Sequence, residues 1–181
     1  MLSVVQLEEK FPTRRLLRAL GKAFKVQFSF PTRVVHVSRA ALSHARNQWD
    51  AEAVLDDVEK KVPGLVLGLF PHDMYVGVMN FVFGAAHLRG KAGVLSYYRL
   101  RPPPARKKSE EKAVDELFMK RVEKEAVHEV GHVLGLHHCG NERCVMSFSP
   151  SLYWVDFKKA DFCPACAANA KELVSERLRE K

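Results

Sequence analysis

Residues 128–138 read HEVGHVLGLHH, which is the pattern H-E-x-x-H-x-x-G-x-x-H. If this stretch is helical, His128 and His132 lie four residues apart on one face, where both imidazoles reach the same point. Gly135 tolerates the positive φ that ends a helix in a sharp turn, and such a turn would bring His138 back beside them. Three neutral imidazoles with a fourth position left open form the ligand set of a catalytic zinc ion. We therefore predict such a site at the three histidines.

Glu129 is the residue that points to catalysis rather than to metal binding alone. Its carboxylate would project beside the three imidazoles, where it could take a proton from a zinc-activated water molecule. The alternative is a helix whose histidines are ordinary polar surface groups. However, the composition of this chain should produce the full pattern by chance in roughly one such chain in ten thousand. The motif therefore favours a zinc-dependent hydrolase with Glu129 as its catalytic residue.

All the cysteines of the chain follow this motif and indicate a second metal site. Their spacing is C-x4-C and then, after eighteen residues, C-x2-C, which suits a closed tetrahedral zinc site of four thiolates. Two disulfides are the alternative, although a close C-x2-C pair in a cytosolic chain favours metal. Because His138 and Cys139 are adjacent, their side chains would bind different metals. We therefore expect two zinc ions, one catalytic and one structural, the latter held by Cys139, Cys144, Cys163 and Cys166.

Composition and charge limit the remaining function classes. The chain has 181 residues, of which 47% are hydrophobic, and this is enough for one domain with a real core. Its net charge is +8, but residues 101–108 (RPPPARKK) form the one compact basic run, and no nucleic-acid-binding signature accompanies it. Residues 1–12 lack the apolar core of a signal peptide, and no apolar run reaches the length of a membrane span. We expect a cytoplasmic monomer without membrane contact.

The residues before the motif alternate between strand and helix patterns. The apolar run LVLGLF at residues 65–70 lies between Gly64 and Pro71, which indicates a central strand covered on both faces. Residues 31–46 show no clear pattern. The alternation indicates an α+β fold with a mixed sheet and helices packed on it. The predicted strands are 2–7, 25–30, 65–70, 80–86 and 92–100, and the predicted helices are 11–24, 50–61 and about 109–136.

Both sets of metal-binding residues also support a family resemblance. The histidine motif resembles that of the metzincin clan of zinc peptidases. The cysteines and their neighbours are similar to the archaemetzincin family in particular, and several upstream segments add to the likeness, which spans roughly residues 45–166. These segments are Cys144-Val145-Met146, Phe162-Cys163-Pro164-Ala165-Cys166, Asp73-Met74-Tyr75, Asn80 to Ala86 (NFVFGAA) and Lys124-Glu125.

The resemblance implies a twisted five-stranded mixed sheet with backing helices, an active-site helix and a small zinc-stapled C-terminal subdomain. One catalytic domain would cover residues 1–181, with an upper subdomain at 1–135 and a C-terminal subdomain at 136–181. Met146 would form an apolar floor beneath the three histidines. Phe148 stands where some clan members carry a tyrosine ligand, so the resemblance implies three protein ligands to the catalytic zinc.

The motif and the resemblance together predict a zinc metallopeptidase, in which Glu129 activates a zinc-bound water to hydrolyse a peptide bond. The resemblance also implies that residues 80–86 form a cleft-side edge strand, to which an extended peptide or protein substrate would add. A zinc-stabilised peptide-binding protein with little turnover is one alternative, and a nucleic-acid-associated protein is a less favoured one. Glu129 and all three histidines are intact, and this favours the peptidase because a pure binding protein needs no general base.

Overall fold

The computed structural model of the protein describes residues 2–31 and 33–179. In this part of the chain two α-helices interrupt the strands, and three more α-helices follow the last strand. The strands are β1 (Leu2–Leu7), β2 (Phe28–Ser29), β3 (Val34–Val35), β4 (Leu42–Ser43), β5 (Gln48–Asp50), β6 (Leu65–Phe70), β7 (Met74–Tyr75), β8 (Gly84–Ala86) and β9 (Ala92–Ser96). The helices are α1 (Arg14–Phe24), α2 (Ala51–Lys61), α3 (Glu111–Leu134), α4 (Leu152–Phe157) and α5 (Pro164–Arg179).

The main sheet is mixed and has the strand order β2-β1-β6-β9-β8. Its first four strands run parallel to one another, whereas β8 is antiparallel to β9 and forms an edge. The short strand β3 pairs with the far end of β1, and β4, β5 and β7 form a separate small sheet. The predicted five-stranded mixed sheet is therefore confirmed, with one additional short strand beside it.

Helices cover both faces of the main sheet. On β6, Leu67 and Leu69 pack into a core shared with α1 and α3, whereas Val66 and Phe70 pack into a second core shared with α2. This alternation follows from the period of two in a strand, which sends successive side chains to opposite faces. The continuous apolar run at this position is thus a strand buried on both faces, as predicted.

Three predicted strands are shorter in the structure than in the sequence pattern. Of residues 25–30 only β2 is a strand, because Lys25 adopts a left-handed conformation (φ 58°) and turns the chain after α1. Of residues 80–86 only β8 belongs to the main sheet, since the Val82 N–H donates to the Met74 carbonyl beside the small sheet. Strand β9 ends at Ser96, close to the level at which its neighbour β6 also ends.

The helix α3 positions the functional residues. Its second half is mostly buried against the sheet, and it ends at Gly135, which has a φ of 117° and whose N–H donates to the carbonyls of Gly131 and His132. The following residues turn back beside the helix, and α4 and α5 then pack against it. Across the described residues, no helix combines the length and apolar character required to span a membrane.

Candidate active site

The structure brings His128, His132 and His138 together at the end of α3. The ligand nitrogens of the three side chains lie within 4.8 Å of one another, and the Nε2 atoms of His128 and His132 are 3.0 Å apart. The left-handed turn at Gly135 redirects the chain, and the ring centre of His138 lies 4.8 Å from that of His132. His128 is buried and His138 is exposed, so the cluster opens toward solvent on one side.

The hydrogen bonds of two histidines determine which nitrogens face the centre of this cluster. His128 Nδ1 donates to the Val145 carbonyl at 2.9 Å, and His132 Nδ1 donates to the Leu136 carbonyl at 2.7 Å. In a neutral imidazole the other nitrogen then carries a lone pair, so two lone pairs face each other across 3.0 Å. Such a contact is repulsive unless a cation lies between them. Two nitrogen ligands of a tetrahedral zinc ion are separated by about 3.3 Å, which the observed spacing approaches.

The protein environment keeps these imidazoles uncharged. Burial lowers the pKa of His128 well below its usual value and lowers that of His132 to about 4, and burial also lowers the pKa of His138. Neutral imidazoles are the form that binds metal, so no proton has to leave these residues at neutral pH. The donor set therefore fits a zinc ion in both its geometry and its charge.

Glu129 lies beside the histidine cluster as a buried carboxylate. Its side chain is only 4% exposed, and its Oε2 atom finds no hydrogen-bond donor among the described residues. Burial raises the pKa of Glu129 well above the ordinary value, and the nearby Glu125 carboxylate raises it further. A buried, unpaired carboxylate oxygen is destabilising, and its presence next to three ligands is typical of a functional group.

A cavity of about 780 Å³ opens in front of the histidines and Glu129. One wall is the edge strand β8 with the loop that precedes it, and the other wall contains Phe148 and Pro150. Most of this lining is apolar, and the exposed Val78 and Leu88 lie at its border. The cleft therefore has the shape and surface of a site for an extended, largely apolar ligand.

Met146 lies beneath this cluster and is fully buried. A Cβ atom placed on Gly131 would come within 2.5 Å of the Met146 sulfur, so the methionine packs directly on the helix turn between His128 and His132. Beside it, the ring centre of Phe148 is 5.2 Å from that of His138. Phe148 therefore borders the cluster with a ring that has no hydroxyl group and so cannot bind a metal ion.

The four cysteines also converge, and all of them are free thiols. Their sulfur atoms lie within 4.8 Å of one another, and Cys139 Sγ is 3.8 Å from Cys163 Sγ. A disulfide requires about 2.05 Å, whereas two thiolates on a tetrahedral zinc ion are about 3.8 Å apart. The Cys163 N–H donates to the Cys144 sulfur at 3.3 Å, and hydrogen bonds led by the Cys166 N–H lower the pKa of Cys163 to about 7. This geometry fits a metal and does not fit disulfides.

One buried ion pair near the site was not predicted from the sequence. Lys158 Nζ lies 2.8 Å from Glu125 Oε1, and the two side chains are 0% and 4% exposed. Glu125 precedes Glu129 by four residues and also lines the cleft. The signal that could have revealed it is a glutamate on the helix face that also carries Glu129, one turn before the motif. Its partner lies far along the chain and could not be inferred from local spacing.

The model of peptidase family M54 matches residues 4–172 of this chain. The chain belongs to peptidase family M54. It is 39% identical over 158 residues to the archaemetzincin of Archaeoglobus fulgidus, an alignment that covers 86% of this chain and 89% of that protein. It is also 43% identical over 126 residues to the archaemetzincin of Haloarcula marismortui, covering 68% and 72% of the two chains.

Solved archaemetzincin structures share the fold. The crystal structure of archaemetzincin from Methanopyrus kandleri matches with a TM-score of 0.82 and 33% identity, covering 99% of this chain and 95% of that one. That from Archaeoglobus fulgidus matches with a TM-score of 0.76 and 37% identity, covering 93% and 99%. The predicted resemblance is therefore confirmed, and this member of the archaemetzincin family is a zinc metallopeptidase with a metzincin-like fold.

Proposed function

We propose that this peptidase cleaves peptide bonds at the cluster of His128, His132 and His138, with Glu129 as the group that moves protons. The observation that carries the proposal is the pair of Nε2 lone pairs facing each other at 3.0 Å, because only a bound cation makes that arrangement favourable. A zinc ion held by these three histidines would supply a Lewis acid, which would acidify a water molecule and polarise the scissile carbonyl.

Glu129 has the surroundings that its proposed role requires. The Oε2 atom of its buried carboxylate has no hydrogen-bond donor among the described residues, so it is available to accept a proton from the attacking water. The same carboxylate would then deliver this proton to the leaving amine. The carbonyls of Val145 and Leu136 meanwhile fix the ring orientations of His128 and His132.

The substrate in this proposal is an extended peptide that runs along β8. This strand is the edge of the main sheet, and all three of its residues line the cleft. Addition of a peptide as one more strand would use backbone hydrogen bonds for affinity and leave alternate side chains to meet the walls. Since those walls are largely apolar, side chains such as leucine or phenylalanine next to the scissile bond fit best.

We further propose a second, structural zinc ion at Cys139, Cys144, Cys163 and Cys166, which would hold a C-terminal subdomain of residues 136–181 on an upper subdomain of residues 1–135. The Cys139 N–H donates to the Met146 carbonyl at 2.9 Å, so the four-cysteine site is linked to the methionine under the histidines. Because His138 directly precedes Cys139, this site also restrains the third histidine ligand.

Metal analysis combined with a peptide-library cleavage screen tests both assignments. Wild-type protein should contain two zinc ions per chain and cleave peptides, and Glu129→Gln should keep both ions while losing about 10⁴-fold or more in kcat. His138→Ala should lose one ion and all turnover. His137→Ala is the matched control for metal content, because this neighbouring histidine is exposed and is not one of the three clustered histidines.

The outcomes separate the two sites. Retention of wild-type turnover by Glu129→Gln would refute its role, and retention of two ions by His138→Ala would refute the ligand assignment. Cys163→Ser should weaken or lose the second ion and lower the thermal midpoint. A wild-type protein with a single zinc ion and intact stability in Cys163→Ser would rule out the structural site.

A further inference from the structure

Gly84 on the edge strand β8 lies against the side chain of Glu129. A Cβ atom built on Gly84 would be 2.3 Å from Glu129 Oε1, 2.5 Å from Cδ and 2.6 Å from Cγ. These separations are far below ordinary van der Waals contact. The space that any other residue would fill at position 84 is therefore occupied by the carboxylate of the proposed general base.

The conformation of Gly84 does not explain why a glycine is present. Positive φ values occur at Gly64, Gly77 and Gly135, but not at Gly84, which pairs regularly with Leu95 in the antiparallel ladder. An alanine could adopt this backbone geometry without strain. The requirement for glycine thus comes from the neighbouring side chain.

The carboxylate borders the cleft, so its contact with β8 sets the limit of its position on the strand side. Glu129 is 4% exposed, and its Oε2 atom has no hydrogen-bond donor among the described residues to hold it in place. Its position therefore depends on steric contact. On the neighbouring strand, a Cβ on Gly93 would be 3.0 Å from a Val133 methyl and 3.5 Å from the Glu129 carbonyl, so α3 lies close to the sheet along this stretch.

We propose that Gly84 is a positioning residue, which sets where the Glu129 carboxylate stands relative to the edge strand that receives the peptide. The inference rests on the role proposed for Glu129. Strand β8 then has two roles. Its open edge aligns the substrate backbone, and Gly84 limits how closely the Glu129 carboxylate can approach the strand. Because the substrate and Glu129 both contact β8, this one strand sets the distance between the scissile bond and the general base.

The size of the expected effect follows from the distances. An alanine at position 84 would need the carboxylate to retreat by about 1 Å to reach ordinary contact distance. A misplacement of that size in a reacting group lowers turnover by about 100-fold. The three atoms nearest to the new methyl group all belong to the Glu129 side chain rather than to a histidine, so metal binding should remain intact.

A double-substitution cycle in thermal stability tests the contact without measuring activity. In zinc-loaded protein, Gly84→Ala should lower the thermal midpoint by about 5 °C, from the overlap with Glu129. In the Glu129→Ala background the same substitution should lower it by less than about 1 °C, because the overlapping atoms are gone. If Gly84→Ala lowered the thermal midpoint equally in the wild-type and the Glu129→Ala backgrounds, the proposal would be overturned. Gly21→Ala, in α1 and with no atom closer than 3.4 Å to the new methyl group, is the control for the substitution itself.

Kinetics and metal content test the positioning role. We expect Gly84→Ala to keep two zinc ions and a KM within about twofold of wild type while kcat falls by about 100-fold. A kcat within threefold of wild type, or loss of the catalytic ion together with activity, would overturn the proposal. If the wild-type protein cleaves no peptide, the proposed function fails, and the stability cycle still decides whether Gly84 and Glu129 are in steric contact.

Discussion

The C-terminal wall of the cleft, which contains Phe148 and Pro150, is attached to α3 through the segment that carries Lys158. Replacement of Lys158 tests this attachment. The Lys158 side chain is completely buried, with Nζ 2.8 Å from Glu125 Oε1 and 3.4 Å from the Ser147 carbonyl. Glu125 is itself buried on α3. Replacement of Lys158 by methionine keeps most of the side-chain volume but leaves the carboxylate without its counter-charge.

The magnitude follows from the burial of both partners. Removal of one member of a buried ion pair destabilises a protein by about 3–5 kcal/mol, because the remaining charge stays desolvated. For a chain of this size, that corresponds to a fall of about 10 °C in the thermal midpoint. Replacement of both members by apolar residues of similar volume, as in Glu125→Leu with Lys158→Met, removes the buried charge entirely and should restore most of the loss.

Thermal unfolding of the zinc-loaded variants, followed by circular dichroism, measures these differences. Lys159→Met is the matched control, since this adjacent lysine is exposed and should change the midpoint by less than about 2 °C. A Lys158→Met protein that unfolds at the wild-type temperature would refute the reasoning. The reasoning would also be refuted if the double variant lost as much in thermal midpoint as Lys158→Met alone, or more.

Three further expectations follow from other parts of the structure. Removal of zinc by a chelator should abolish the hydrogen-exchange protection of α5 before that of β1 and β6, because the proposed four-cysteine zinc site would hold the segment after Cys139 in place. The His87–Glu59 pair, with Nδ1 2.8 Å from Oε1, raises the pKa of His87 and lowers that of Glu59 through this hydrogen bond. The stability difference between wild type and His87→Asn should therefore be largest between about pH 5 and 6.5. It should shrink as pH rises through the raised pKa of His87, and again as pH falls through the lowered pKa of Glu59. Val78→Asp, at a cleft-lining residue that is 99% exposed, should leave the thermal midpoint unchanged while lowering kcat/KM for apolar peptides by up to about tenfold.

The parts of the site that could be predicted from the sequence depend on local geometry. His128 and His132 share a helix face because of their spacing, and the positive φ of Gly135 redirects the chain so that His138 returns. The cysteine pairs likewise follow from short spacings. The run at residues 65–70 identified the central strand because only a strand covered on both faces can use six apolar residues in succession.

The remaining features depend on contacts between residues far apart in the chain. Residues 31–46 gave no pattern because the strands there are only two residues long and belong partly to the small sheet. Lys158 appears in the sequence as one of many lysines, and its burial results from docking of the segment after α4 onto α3. Gly84 appears as an ordinary strand glycine until the position of Glu129 is known.

The two walls of the cleft are attached to α3 by different interactions, and this difference has consequences for the enzyme. On the C-terminal side, Arg121 makes a two-point contact with Asp156 (2.6 and 2.7 Å), and one turn later Glu125 binds Lys158, so polar contacts of defined length hold that wall. On the β8 side, close packing sets the distance, since Gly84 leaves no space beside the helix. Small changes in side-chain volume should therefore act on proton transfer through the strand wall. Changes in charge at Glu125 or Lys158 should act on Glu129 through space. Because Gly84 contacts the same side chain, combined variants from the two walls should deviate from additivity.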